Sequence, residues 1–208
     1  MPTLITDPDL EQDLISRRRT WGGDKFDEVW DGVYVMAAWP NDEHQFLVKE
    51  LTMILGLTID WQKLGQTRPG VNVSDRRTNW KDNYRVPDVA VFLNETCAEN
   101  CGSFWFGGPD FGIEITSEGD RIPEKLPFYA RVRTRELLVI DRDPWTLTLY
   151  RNNGSEMIAI AKSTFEASSR LDSEVLPMNW QLVGGESGRS MHVTHQQHAD
   201  QSWWIAIG

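Results

Sequence analysis

Cysteine is nearly absent from this 208-residue chain, which holds only Cys97 and Cys101, close together in ETCAENCGS. Two thiols cannot close a zinc site without other ligands, so the pair reads as reduced loop cysteines, with a local disulfide as the alternative. No apolar run approaches the length of a membrane span. The opening MPTLITDPDLEQDL also lacks the basic start and apolar stretch of a signal peptide. The expectation is a cytoplasmic protein with no membrane partner. Positive charge is scarce too: 21 basic against 31 acidic side chains leave a net charge of −10. That argues against a protein holding nucleic acid by bulk electrostatics. A basic surface would have to be local, and its candidates are Arg17, Arg18 and Arg19, then Arg76 and Arg77, then Arg131, Arg133 and Arg135.

What remains is an ordinary globular composition with enough chain for one domain and its core. Ten tryptophans, spread from Trp21 to Trp204, are the unusual abundance. They read mainly as core and groove filling, with base stacking as the competing use.

The pattern along the chain divides it into an approach segment (1–24), a main domain (25–185) and a loose tail (186–208) with an apolar terminus. DPDLEQDLISRRR predicts a short helix ending at Gly22–Gly23. FDEVWDGVYVMAA predicts a hairpin turning at Asp31–Gly32. Pro40-Asn41-Asp42 starts an amphipathic helix whose inner face would hold Phe46, Leu47, Leu51, Ile54, Leu55, Ile59 and Trp61, stopped by Gly65. Strands follow in VNVSDRRTNW, YRVPDVAVFL and FGIEITS, with residues 94–109 as loop and a turn at Gly119–Asp120. Pro123 precedes a helix, EKLPFYARVR, with Pro127 expected in its first turn. ELLVIDRD reads as a strand buried on both faces, and LTLYRNNGSEMIAI as a hairpin turning at Asn153–Gly154. The fold class is therefore α/β (α+β): one mixed sheet flanked by helices, with an N-terminal and a C-terminal hairpin.

Three side chains carry the candidate chemistry. Asp88 enters the strand VAVFL behind Pro87, which forces an extended approach. Glu114 lies between two isoleucines in GIEIT, poor company for a purely solvated carboxylate. Lys125 begins the next helix. Two carboxylates on adjacent strands can bind Mg²⁺ through hard oxygens, and a metal so held polarises a scissile phosphate and acidifies its bound water. A nearby ammonium can orient that water and offset charge building on the phosphate. The competing reading makes Asp88 a turn cap, Glu114 an arginine partner and Lys125 a solvated cation. His192, His195 and His198, spaced by three, form a second candidate metal row if the tail were helical.

The ordered series VPDVAVF, IEITS, GDRIPEKLPFYARV and RELLVIDRDPWTLTLY resembles the Uma family within the PD-(D/E)XK nuclease superfamily, which has a restriction-endonuclease-like fold. FDEVWDGVYVM resembles that family's opening hairpin, HQFLVKEL its first helix and SEVLPMNWQL its closing segment, so the likeness covers roughly residues 20–185. The resemblance implies that Asp88 and Glu114 are the motif acids. The superfamily's lysine usually stands two residues after the second acid, where this chain has Thr116. The family places it on the following helix, which matches Lys125. The resemblance also implies roles for His44, as an auxiliary acid, base or phosphate donor, and for Glu28, as a further metal oxygen or the partner of a base. Ser117 and Asp120 match positions that would fix the loop after Glu114.

The implied function is Mg²⁺-dependent endonuclease cleavage of phosphodiester bonds in nucleic acid, chiefly DNA, with Mn²⁺ as a substitute. The alternative is a catalytically inactive nuclease fold that binds nucleic acid or protein. Cleavage specificity, and a homodimer that would deliver paired cuts, stay open at this level.

Overall fold

The computed structural model describes residues 7–116, 120–185, 188–198 and 200–208. In chain order come α1 (Pro8–Thr20), β1 (Glu28–Trp30), β2 (Val33–Val35), α2 (Asp42–Leu55), β3 (Gly65–Pro69), β4 (Val73–Ser74), β5 (Tyr84–Arg85) and β6 (Val89–Leu93). Then follow β7 (Glu99–Asn100), β8 (Trp105–Phe106), β9 (Phe111–Ile115), α3 (Ile122–Arg131), β10 (Glu136–Arg142) and β11 (Trp145–Asn152). The chain closes with β12 (Met157–Ser163), β13 (Leu171–Asp172), β14 (Met178–Gly185), β15 (Gly188–His195) and β16 (Ser202–Ala206).

The central sheet has the order β12-β11-β10-β9-β6-β3. Only β9 and β10 run parallel in it, and α3 makes the crossover that a parallel pair requires. Strand alternation sorts its side chains into two cores. Val89, Val91, Phe111, Ile113, Ile115, Leu138 and Ile140 join the α2 residues Leu47, Leu51, Ile54 and Leu55 on one face. Ala90, Phe92, Leu137 and Val139 join Phe128 and Tyr129 of α3 on the other. A second sheet, β2-β1-β5-β4-β8-β7, carries the N-terminal hairpin, whose turn holds Asp31 at φ 47 and Gly32 at φ 88. Positive φ at both turn positions matches the twist of the strands.

Helix starts follow local chemistry. The Asp7 side chain accepts from the backbone N–H of Asp9 and Leu10, Pro8 follows, and Arg17, Arg18 and Arg19 lie at the negative end of the α1 dipole. Asn41 caps α2 by accepting from His44 N–H at 3.0 Å. The helix then widens into a π-type turn, Gly56–Asp60, closed by Trp61 N–H donating to the Gly56 carbonyl.

Several expectations change. Phe46 is 37% and Trp61 79% exposed, so neither lies on the inner face of α2. Phe46 sits a third of a turn from Leu47, and the π turn rotates Trp61 outward. Pro127 stands inside α3, beyond its first turn, because the helix begins at Ile122. Its ring removes one N–H from the helix ladder there. The edge strand β3, with the weak pattern GQTRP, exists through its pairing with β6. The supposed loose tail instead supplies β15 and β16 to an antiparallel sheet, β13-β14-β15-β16. Met191, Val193 and Ile205 from that sheet enter the α2-side core, and their alternation with polar residues is what orders the segment. Of the ten tryptophans, only Trp105 and Trp180 are buried, so most do not fill the core. Among the described residues, no helix is long and apolar enough to cross a membrane.

Candidate active site

The register of the central sheet assembles the site. Val89 pairs with Ile113 across β6 and β9, so one step outward Asp88 stands opposite Glu114. Alternation turns Glu114 toward α3, whereas Asp88, one residue before β6, reaches the start of α2. Asp88 Oδ2 accepts from Ile115 N–H at 2.7 Å, fixing the carboxylate at the strand mouth. Lys125 and Tyr129, one helical turn apart on α3, project to the same carboxylate, Glu114. Lys125 Nζ donates to its two oxygens at 3.2 and 3.0 Å, and the Tyr129 hydroxyl donates to Oε1.

Glu28 reaches the site because β1 pairs with β5 through Val29 and Tyr84. Its Oε1 accepts from Val86 N–H at 2.8 Å and faces Lys125 Nζ at 3.1 Å. Its Oε2 accepts from the Trp30 indole at 2.6 Å. Both oxygens of Glu28 are thus engaged. His44, in the first turn of α2, places Nε2 3.1 Å from Asp88 Oδ1, while its buried Nδ1 has no hydrogen-bond partner among the described residues. Glu28, Trp30, His44, Asp88, Glu114 and Lys125 wall a cavity of about 420 Å³, which Asp120 and Arg121 also line, with Tyr129 behind Glu114. Ser117 lies outside the described residues.

Charge is unbalanced here. Three carboxylates surround one ammonium, and Glu114, Glu28 and His44 are all under 10% exposed. Burial pushes the Glu114 carboxyl up to about 7; Asp88 and Glu28 push the same way, against the pull of Lys125 and Tyr129. Burial also pulls the Lys125 ammonium down, but Glu114, Glu28 and Asp88 outweigh it and hold the group above the usual lysine range. Burial, with Glu114 next, raises the Tyr129 phenol as well, so it stays a donor at neutral pH. Such a cluster holds its lysine firmly charged while still lacking positive charge.

The donors suit a hard divalent ion, since Asp88 and Glu114 offer oxygens at one cavity wall. Among the described residues no group of three or more His, Cys, Asp or Glu is arranged to hold a metal. Two protein carboxylates, with water and phosphate completing the shell, is the arrangement Mg²⁺ tolerates best. The histidine row does not form such a site. His192 and His195 point to opposite faces of β15; His192 stacks on Trp204 at 3.9 Å, and the His195 ring lies 4.6 Å from that of His198.

The sequence reading missed Tyr129 and Trp30, the two neutral donors of the site. Tyr129 carried a signal, its four-residue spacing from Lys125 on one helix. Trp30 carried one as well, its two-residue spacing from Glu28, which puts both on one face of β1. The supposed basic surface is largely neutralised. Arg17 meets Asp13, Arg18 meets Asp27, Arg19 meets Asp24 and Arg77 meets Glu99. Arg76 and Arg131 share Asp75, Arg135 lies 3.5 Å from Asp110, and Arg133 alone of these candidates is exposed with no acid partner among the described residues.

Comparison with known proteins bears on this site. The sequence model of the Uma2 family, described as "Putative restriction endonuclease", matches residues 22–184. Curated proteins return no match. Among solved structures, a "putative nuclease belonging to DUF820" from Anabaena variabilis superposes with a TM-score of 0.55 at 19% identity. The match covers 70% of this chain and 81% of that one, and it shows a shared fold.

Proposed function

The chain belongs to the Uma2 family, and on that premise we propose a divalent-metal-dependent nuclease that hydrolyses phosphodiester bonds, with DNA as substrate. The observation that carries this reading is the placement of Asp88 and Glu114 opposite each other at one cavity wall, with Lys125 Nζ 3.0 Å from Glu114. Asp88 and Glu114 would hold Mg²⁺, with Mn²⁺ as a substitute. When bound, the ion supplies phosphate polarisation and a more acidic water.

The chain's own groups do the rest. Lys125 stays protonated in the field of Glu114, Glu28 and Asp88 and lies within reach of the attacking water and the phosphate oxygens. Glu28 positions that lysine through Oε1 and, like Glu114, whose oxygens also meet Lys125 and Tyr129, would add a further oxygen to the metal. Tyr129 fixes the rotamer of Glu114. His44 orients Asp88 and lends the cavity its imidazole.

A second reading, a nuclease fold that binds without cutting, draws support from the acidic surface and its paired arginines. Cleavage of plasmid and single-stranded DNA with Mg²⁺ or Mn²⁺, comparing wild type with Asp88→Ala, separates the two. Metal-dependent cleavage lost in the variant supports catalysis. Equal activity in both proteins, or none in either, sinks it.

A further inference from the structure

We infer that Trp21 and Trp39 form a base-stacking platform at the rim of the cavity, and that the nucleic acid this site takes is single-stranded or locally unpaired. Trp39 lies between Ala38 and Pro40, both of which line the cavity that holds Asp88 and Glu114. Its ring centroid is 5.8 Å from that of Trp21. The indoles are 64% and 60% exposed, so each presents surface to solvent beside the site.

A buried ionic node holds the pair in place. Asp27, 1% exposed, accepts from Arg18 through both oxygens, from the Tyr34 hydroxyl at 2.7 Å and from Ala37 N–H at 2.8 Å. Arg18 also donates to the Gly23 carbonyl at 2.7 Å and the Ala37 carbonyl at 2.9 Å. The Trp21 and Trp39 segments are therefore clamped by one guanidinium. Trp21 lies so closely over Gly23 that a Cβ there would stand 2.1 Å from its ring. Two large apolar rings held in fixed positions beside a reactive cleft mark a surface built to be covered.

Charge decides what covers it. A duplex is gripped through its phosphates, and each such contact needs a cation free to displace counterions. Here Arg17, Arg18, Arg19, Arg76, Arg77 and Arg131 are engaged by acids, Arg133 is exposed with no acid partner among the described residues, and the chain carries −10 overall. Stacking on indole adds to whatever phosphate contacts a strand makes, is indifferent to base identity and requires bases that have left the helix. The same cavity therefore favours an unpaired strand.

This inference rests on the nuclease reading for the class of ligand, so its test measures binding without cleavage. A fluorescein-labelled 12-mer, single-stranded or annealed to its complement, is titrated in EDTA and followed by anisotropy and tryptophan quenching. The single strand is expected to bind at least tenfold more tightly than the duplex. Trp39→Ala should weaken it about tenfold, within the usual range for losing one stacked base. Trp39→Phe should keep most of the affinity, and Trp61→Ala, about 25 Å along the α2 axis from His44, should change nothing. Duplex binding as tight as single-strand binding overturns the inference, as does an unaffected Trp39→Ala. Quenching by neither nucleic acid would assign the pair to a protein partner and overturn it equally. Tight single-strand binding with no cleavage in Mg²⁺ would leave the platform standing and remove the nuclease reading.

Discussion

Glu136 and Glu114 sit on neighbouring strands of one sheet, 0% and 4% exposed, yet their surroundings differ in kind. Glu136 Oε1 accepts from Arg151 at 2.9 and 2.7 Å, and Oε2 accepts from the Ser173 hydroxyl. Arg151 bridges this buried acid to the solvent-exposed Glu174 at 2.7 Å, so Glu136 is the only buried acid the guanidinium meets among the described residues, and the cluster ties β10 and β11 to the loop before β14. Glu114 shares one ammonium with Glu28, stands opposite a third carboxylate, and has its carboxyl pushed up to about 7. A buried acid serves structure when its charge is matched locally. An unmatched one is costly unless something else brings the missing charge.

The largest expected effect falls on chemistry. Asp88→Ala or Glu114→Gln should lower metal-dependent cleavage by roughly 100-fold or more, the usual result of removing a group that stabilises the transition state. Glu136→Gln should leave the rate per folded molecule within a few-fold. A Glu136 variant as inactive as the Glu114 variant would erase the contrast.

Stability should reverse the order. In urea unfolding with EDTA, Glu136→Ala leaves Arg151 with only the exposed Glu174 and Ser173 without its acceptor, and should cost roughly 2–3 kcal/mol, below the range of about 3–5 for breaking a buried pair because Arg151 is partly exposed. Glu114→Gln removes surplus negative charge and should cost less, or stabilise the metal-free protein.

The pH dependence sharpens the same point. An unfolded glutamate loses its proton near 4.5, whereas folded Glu114 keeps it to about 7. Between those values the folded state binds more protons, so stability should fall as pH rises from 5 to 8, by on the order of 1–3 kcal/mol. The slope is expected in EDTA and should flatten in Glu114→Gln but persist in Glu136→Gln. A flat wild-type profile would show that Glu114 is not held in deficit.

The smallest effect is thermal. At tenfold over its Kd, Mg²⁺ should stabilise the wild type by about 1.4 kcal/mol, or roughly 3 °C in Tm. Asp88→Asn should lose the shift, whereas Glu136→Gln should keep it.

Much of the site was legible because strands and helices impose short periods. Pro87 before Asp88 and the isoleucines around Glu114 located two strand carboxylates, and Lys125 fell near a helix start. What local pattern could not supply was partners. Glu28 meets Lys125 only through the pairing of β1 with β5, and Trp30 enters as a donor by the same route. The arginine triplets read as basic surface, but Asp27, Asp75 and Glu99 neutralise them from elsewhere in the chain. The Gly- and Ser-rich approach to 188–208 hid two strands whose order depends on β14.

Sequence by itself determined most of the central strands and helices and, with the family resemblance, singled out Asp88, Glu114 and Lys125 as candidates, because alternation and helical spacing are local properties of the chain. Tertiary structure alone decided which charges are matched. Register set Asp88 opposite Glu114 and α3 brought one ammonium to both Glu114 and Glu28, crowding buried carboxylates that a retained proton on Glu114 or a bound cation would balance. Coulomb energy depends on distance and burial, and neither is written in sequence order.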